Sequence, residues 1–505
     1  MIINAENNRV IAKNTLYLYL RMGLVMILSL FTTRVLLQVL GVLDYGIYNV
    51  VAGFVALFSF MNVSLSASIQ RFYNYEGGLH GRSGWQNVYV TSLYIEIIFA
   101  LIIFILLETI GIWYVKNRLI IPADRLFAAK CLFHLSCVQM ILVMLQAPFS
   151  AMIMAKERMN YYALVGIVEV VFKLALVLML PFLSYDKLVV FGVFSTILSV
   201  IVFLMYFVYV RVKYTQYRFE LKYNGSLFRS MLSFSGWNIW GSTAMIARTQ
   251  GINVMLNVFW GPVVNAARGV AFQIQSAVLG FTQNLTMAVR PQVTESYAKA
   301  DFHRTQSLMF SVSKISFILL YLLALPIIFD VDTILKLWLG ESVPEYTNKF
   351  AILILIASLI DVLNSPVTIV MMASGIIKVY SFITSLIGIL ILPISYLFLK
   401  TGWSPTIVFV IGVFISLSVQ VASLFIMDKQ LGILVGTYVK KIVIPLFRLV
   451  LLTFWIPYVV DFILIGEFAN LCVTILLSIF STMVVSYYVV LDSAERKYLL
   501  NFIRR

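Results

Sequence analysis

The chain predicts an all-α, polytopic membrane protein of about fourteen transmembrane helices. Three observations predict it. Hydrophobic residues make up 61% of the 505 and charged residues only 12%, about half the charged share of an ordinary soluble domain. The apolar residues fall in blocks of about 20–27, and a helix of about 20 residues crosses about 30 Å of hydrocarbon. The connections between blocks alternate in charge, basic on one side and acidic on the other.

In chain order the blocks lie near 15–41, 47–70, 88–115, 125–152, 160–182 and 188–211, then 230–258, 262–289, 307–329, 347–372, 378–399 and 404–427, and finally 443–465 and 468–491. The polar first fourteen residues and the length of the first block do not fit a cleaved signal peptide, so the first helix is expected to stay in the mature protein. One set of connections carries Arg9 and Lys13, Arg71 and Arg82, Lys156 and Arg158, Arg211 to Arg229, Arg290 to Arg304, Lys378, Lys429 to Lys441, and the C-terminal Arg and Lys residues. The other set is short and acidic: Asp44, Asp124, Asp186, Asp330, Asp332, Glu341, Glu345, Asp461 and Glu467, with Lys116 and Arg118 as its basic exception. The positive-inside rule puts the basic set, both termini included, in the cytoplasm.

A basic linker divides the blocks into six plus six plus two. The expected organisation is an N-terminal six-helix lobe (1–211), a cytoplasmic linker (212–229), a C-terminal six-helix lobe (230–430), and helices 13–14 with a tail (431–505), the lobes enclosing a central cavity. A faint repeat supports the division: LLQVLG at 36–41 ends the first helix and LNVFWG at 256–261 ends the seventh. Six helices per half keep both copies in one orientation, as in transporters with repeats related by an axis along the membrane normal.

Seven cations lie inside the apolar blocks: Arg21, Arg34, Lys130, Lys173, Arg248, Arg268 and Lys314. A charge in the bilayer costs at least a few kcal/mol unless it faces a cavity or a partner. Such an excess of cations points to a water-filled cavity that receives an anion. Some have other outlets: Lys173 follows Glu169 by four and can pair along one helix face, and Arg34, Lys130 and Lys314 lie near enough to an end to snorkel. Arg21, Arg248 and Arg268 are the best cavity candidates. Neutral polar residues run in stripes at helical spacing: Ser59, Asn62, Ser66 and Gln70; Asn238, Ser242, Thr249, Asn253 and Asn257; Asn265, Arg268, Gln275 and Thr282. Interhelical hydrogen bonding and a polar lumen both explain such stripes. In the tenth block Asp361 heads a polar group, Asn364, Ser365 and Pro366, where a proline frees a carbonyl. That carboxylate fits a coupling H⁺ or Na⁺, or a salt bridge to an intramembrane cation.

No Walker A loop, GxGxxG, HExxH or GxSxG occurs, so no catalytic residue is assigned and no enzyme is expected. The three cysteines and three histidines show no metal spacing, and neither a metal nor a cofactor is expected. No segment forms a solvated basic domain, so the net charge of +15 does not indicate nucleic-acid binding.

The stretches LGVLDYGIYNVVAGF (40–54) and SASIQRFYN (66–74) resemble the first hairpin of bacterial polysaccharide flippases of the Wzx type. FSGWNIWGSTA (234–244) and GPVVNAARGVAFQIQ (261–275) look like the matching hairpin of their second half, within the multidrug/oligosaccharidyl-lipid/polysaccharide exporter superfamily. The resemblance implies a two-lobe transporter in the inner (plasma) membrane. It would carry an undecaprenyl-pyrophosphate-linked oligosaccharide repeat unit from the cytoplasmic to the outer leaflet by alternating access, for cell-surface polysaccharide biosynthesis. Arg21, Arg248 and Arg268 would then hold the pyrophosphate, and Asn62, Asn238, Asn253 and Gln275 the sugar. H⁺ or Na⁺ and a polysaccharide polymerase are the partners it suggests. The rival functions are a cation-coupled multidrug exporter, which needs an acidic site, and a membrane polysaccharide polymerase or ligase, which usually carries a large outer loop.

Overall fold

The structure, a computed structural model, describes residues 5–156, 158–218, 220, 224–374, 377–433, 435–463, 467–493 and 495–496. Within its helices the side chains of 5–22 and 234–242, with a few others, lie outside the described set. Among the described residues every regular element is a helix. In order these are α1 (Ala5–Ala56), α2 (Ser59–Leu106), α3 (Ile112–Asn117), α4 (Leu126–Ala155), α5 (Met159–Met179), α6 (Lys187–Lys213), α7 (Gly225–Trp260), α8 (Pro262–Ala298) and α9 (Phe302–Phe329). Then come α10 (Val331–Leu339), α11 (Thr347–Ser374), α12 (Ile377–Ile389), α13 (Ile391–Lys400), α14 (Ile407–Leu431), α15 (Val435–Tyr438), α16 (Ile444–Thr453), α17 (Trp455–Ile463) and α18 (Glu467–Val485). Single π turns at Leu107–Gly111, Val439–Val443 and Ser486–Val490 join or extend several of them.

Eleven helical stretches among the described residues are long and apolar enough to cross a membrane. The second, seventh and eighth expected spans are helical as well, outside that count. The protein is an all-α, polytopic membrane protein.

The faint sequence repeat is sharper in the backbone. Gly41 stops the first span at φ 76°, ψ 169°, and Gly261 stops α7 at φ 77°, ψ −176°. These left-handed values suit glycine, which has no Cβ to clash. The next break also recurs: Gly81 at φ 56° lies forty residues beyond Gly41, and Ala300 at φ 57° lies thirty-nine beyond Gly261. Each half thus opens with two long helices ended by positive-φ residues at matching intervals. At Ala300 the strain falls on a residue with a Cβ, a conformation uncommon outside glycine.

The chain divides into two compact units, Met1–Ala266 and Ala267–Arg505. In the first, α7 packs on α1 and α2, and α4 packs against α1, α2 and α6. Its interior holds Leu37, Ile47, Val50, Tyr73, Tyr89, Ile103 and Phe133, all buried. In the second, α11 packs between α9 and α14, and α18 lies on α9 and α16. Ala351, Leu355, Val367, Val370 and Leu320 form part of its core.

Two glycines set the spacing of α1 in the first unit. A Cβ at Gly46 would collide with the backbone carbonyl of Pro262, and one at Gly53 with the side-chain amide of Asn253. A backbone carbonyl cannot rotate away, whereas an amide can. Gly46→Ala is therefore expected to destabilise the unit by about 1–3 kcal/mol, the usual cost of overpacking, and Gly53→Ala by less. Thermal unfolding of the detergent-purified variants checks this; an unchanged midpoint for Gly46→Ala would refute the close approach.

Candidate functional site

The polar stripe of α7 is held inside the first unit. Asn253 Nδ2 donates to the Asn49 carbonyl at 2.7 Å, and Asn265 Nδ2 donates to both the carbonyl and Oδ1 of Asn253, at 2.6 and 2.7 Å. Gly53 leaves the room that the Asn253 amide fills. One turn on, Asn257 closes a two-bond clasp with the backbone of Ile120: it accepts from the Ile120 amide at 2.9 Å and donates to its carbonyl at 3.3 Å. Asn253, Asn257 and Asn265 are all buried. For Asn253 and Asn265 interhelical bonding is the visible role, and Asn257 holds the connection between α3 and α4.

The other sequence-predicted residues fall as follows. Arg248 is half-buried on α7, five residues before Asn253. Asn62 is half-buried on α2, and its Oδ1 accepts from Ser66 at 3.4 Å. The side chains of Arg21 on α1 and Asn238 on α7 lie outside the described residues. In the second unit, Arg268 is buried on α8 with its guanidinium carbon 5.4 Å from the Phe272 ring centroid. Gln275 donates from Nε2 to Ser358 Oγ on α11 at 2.7 Å. Asp361 is half-buried on α11. Near Pro366, Tyr438 donates to the Leu363 carbonyl at 3.2 Å and Thr368 to the Asn364 carbonyl of its own helix at 3.0 Å.

Several of the intramembrane titratable groups have partners or polar surroundings. Lys314, 1% exposed, is held by Asp492 at 2.8 Å and Glu495 at 3.2 Å, so the segment after the last helix neutralises it. His134 Nδ1 lies 2.9 Å from Glu108 Oε1. Glu169 and Lys173 line one partly open cavity of about 150 Å³ with Gln139, Gln146 and Tyr48. Glu96, in contrast, is fully buried on α2, and neither carboxylate oxygen has a hydrogen-bond partner among the described residues.

Sequence reasoning missed two features. At the basic end of the second span, Gln70, Arg71, Asn74 and Tyr75 line an open depression of about 540 Å³. Their spacing of one, three and one places them on one helix face, a signal readable from QRFYNY at 70–75. At the opposite, acidic end Arg125 binds Asp44 through two nitrogens and Asp186 at 2.6 Å, tying three connections together. Burial raises the Asp186 pKa, but Arg125 and the amides of Leu188 and Val189 overcome that and hold it below the ordinary carboxylate value.

Residues 11–296, more than half of the chain, match the family described as polysaccharide biosynthesis protein. Among solved structures, the chain is similar to a lipid II flippase, MurJ, in an inward closed conformation. Identity is 14% over 94% of this chain and 98% of that one, with a TM-score of 0.73. It is also similar to an outward-facing multidrug resistance MATE family transporter of the MOP superfamily, at 14% identity over 81% of this chain and 94% of that one, with a TM-score of 0.54. These likenesses are of fold. No curated protein matches.

Proposed function

The chain belongs to the polysaccharide biosynthesis protein family, and we propose that it flips undecaprenyl-pyrophosphate-linked oligosaccharide repeat units from the cytoplasmic to the outer leaflet by alternating access. The observation that carries this reading is Arg268: a guanidinium kept inside a membrane helix, 8% exposed, with an aromatic ring against its face. A pyrophosphate suits such a group, since guanidinium and phosphate oxygens make charge-assisted, bidentate bonds. Arg21 and Arg248 join it as proposed pyrophosphate contacts. Asn62, Asn238 and Gln275 are proposed to meet sugar, and Asn253 to do so through the helix positions it fixes. The MurJ-like fold fits a lipid-linked cargo. Deleting the gene should leave lipid-linked repeat units on the cytoplasmic leaflet, and this chain should restore their export. Restored polymer length with no change in leaflet distribution would favour a polymerase instead.

The inner membrane, with both termini and the 212–229 linker in the cytoplasm, is the proposed setting. Ser226 should then resist, and Glu341 accept, an impermeant thiol reagent when each is replaced by cysteine in intact cells. The reverse pattern overturns the orientation.

Alternating access needs a bias that resets the empty transporter. Asp361, next to the turn loosened by Pro366, is proposed to supply it by binding H⁺ or Na⁺. Asp361→Asn is expected to slow transport severalfold and remove its dependence on the ion gradient at normal expression. Retained gradient dependence would move the role to another carboxylate, with Glu96, unpartnered among the described residues, next, followed by Glu108 and Glu169.

A further inference from the structure

The basic end of α6 carries a second, separate feature. Arg211, Thr215, Tyr217 and Arg218 line an open depression of about 480 Å³. Among the described residues neither arginine forms an ion pair, although Glu220 is close enough to take a hydrogen bond from Gln86 at 2.9 Å. Two guanidinium groups and a hydroxyl around one depression offer a phosphate group the donors it needs.

The depression is built rather than incidental. Gln86 on α2 accepts from the Arg218 amide at 3.0 Å and donates to the Arg218 carbonyl, fixing the backbone that presents this arginine. Tyr217 is buried and stacks on Trp85, which also stacks on Tyr73 and carries the Lys156 ammonium 3.5 Å from its ring centroid. Burial lowers the Lys156 pKa.

The surroundings indicate depth in a membrane. Tyr161 stacks on Tyr209 at 3.8 Å, Tyr162 meets Tyr206, and Tyr209, Tyr214 and Tyr217 follow in ring contact. Tyrosines gather at the headgroup level of a bilayer. Running away from the depression, α6 exposes Ile197, Val200, Leu204 and Val208. Arg211 lies seven residues after Leu204 and eleven after Val200, so it continues that stripe at helical spacing. An apolar track that ends in two cations at headgroup depth matches one molecule, an acyl lipid with a phosphate head.

We propose that the depression bounded by Arg211, Thr215, Tyr217 and Arg218 binds the phosphate headgroup of an anionic phospholipid whose chains lie along the exposed face of α6. The lipid would hold the start of the 212–229 linker to the first unit. This inference does not rest on the cargo proposed above.

The test uses the full chain in nanodiscs of phosphatidylcholine with or without phosphatidylglycerol, read by native mass spectrometry for retained lipid and by the thermal midpoint. Wild-type protein should retain phosphatidylglycerol in preference to phosphatidylcholine. Arg211→Ala with Arg218→Ala should weaken that retention by about thirtyfold, the effect of two membrane-surface cations, while Lys213→Ala, a neighbouring cation outside the depression, leaves it unchanged. Arg211→Lys with Arg218→Lys should keep most of it, which separates lost charge from lost folding. Equal retention by the double alanine variant, or an equal loss with Lys213→Ala, overturns the site. A midpoint shift produced by millimolar inorganic phosphate alone, equal to that produced by phosphatidylglycerol, would assign the depression to free phosphate and overturn the lipid.

Discussion

Arg268→Ala, alone or with Arg248→Ala, is expected to abolish export of lipid-linked repeat units while the protein still inserts. The reason is differential. Arg268 is buried on α8 against Phe272, and a charge held inside a membrane helix is a functional-site candidate. A bond from a charged donor is worth about 1.5–3 kcal/mol, so under the proposed contacts the loss of both arginines should reduce pyrophosphate affinity by several orders of magnitude. Lysine at either position keeps the charge but not the planar fork and should restore part of the flux. Alanine at 268 also removes the hydrocarbon stem that packs on the ring, so surface abundance has to be measured with flux. Full export by the double alanine variant at normal abundance would show both arginines to be structural and would remove the main support for an anionic cargo.

How much of this was legible in the sequence depends on the range of each interaction. Spans follow from runs of apolar residues, a local property, and the structure forms helices over them. The repeat was visible as two six-residue echoes; the backbone adds the matched positive φ at Gly41 and Gly261, which only glycine identity hinted at. The polar stripe of α7 could be placed on one helix face, but spacing alone does not say what that face meets. Asn253 turned out to reach Asn49, 204 residues away, and Asn257 to reach Ile120, 137 away. The Arg125 tie was equally hidden, since its partners Asp44 and Asp186 are 81 and 61 residues distant. Long-range partners are fixed by packing, and the sequence carries no local sign of them.

Lys314 shows the same limit with the largest expected effect on stability. Its position on α9 fits a cavity cation as well as a snorkelling one, yet its ammonium is 1% exposed and held by two carboxylates from beyond the last helix. Glu495 also accepts from Ser311 and from the Asp492 amide, so it is the organised partner, at 17% side-chain exposure. Asp492 is 70% exposed, and solvent screening limits its share to under about 1 kcal/mol. Asp492→Asn with Glu495→Gln would leave a buried ammonium without a countercharge, a change that costs about 3–5 kcal/mol in comparable buried pairs. The double variant is therefore expected to unfold at a markedly lower temperature, with Glu495→Gln accounting for most of the loss. Adding Lys314→Met should return much of it, because methionine fills similar volume and carries no charge to desolvate. Recovery in the triple variant is what separates electrostatics from simple disturbance of the tail. A double variant with the wild-type midpoint, or a triple variant no better than the double, would mean that the tail merely rests on α9 and that Lys314 is neutralised by something else.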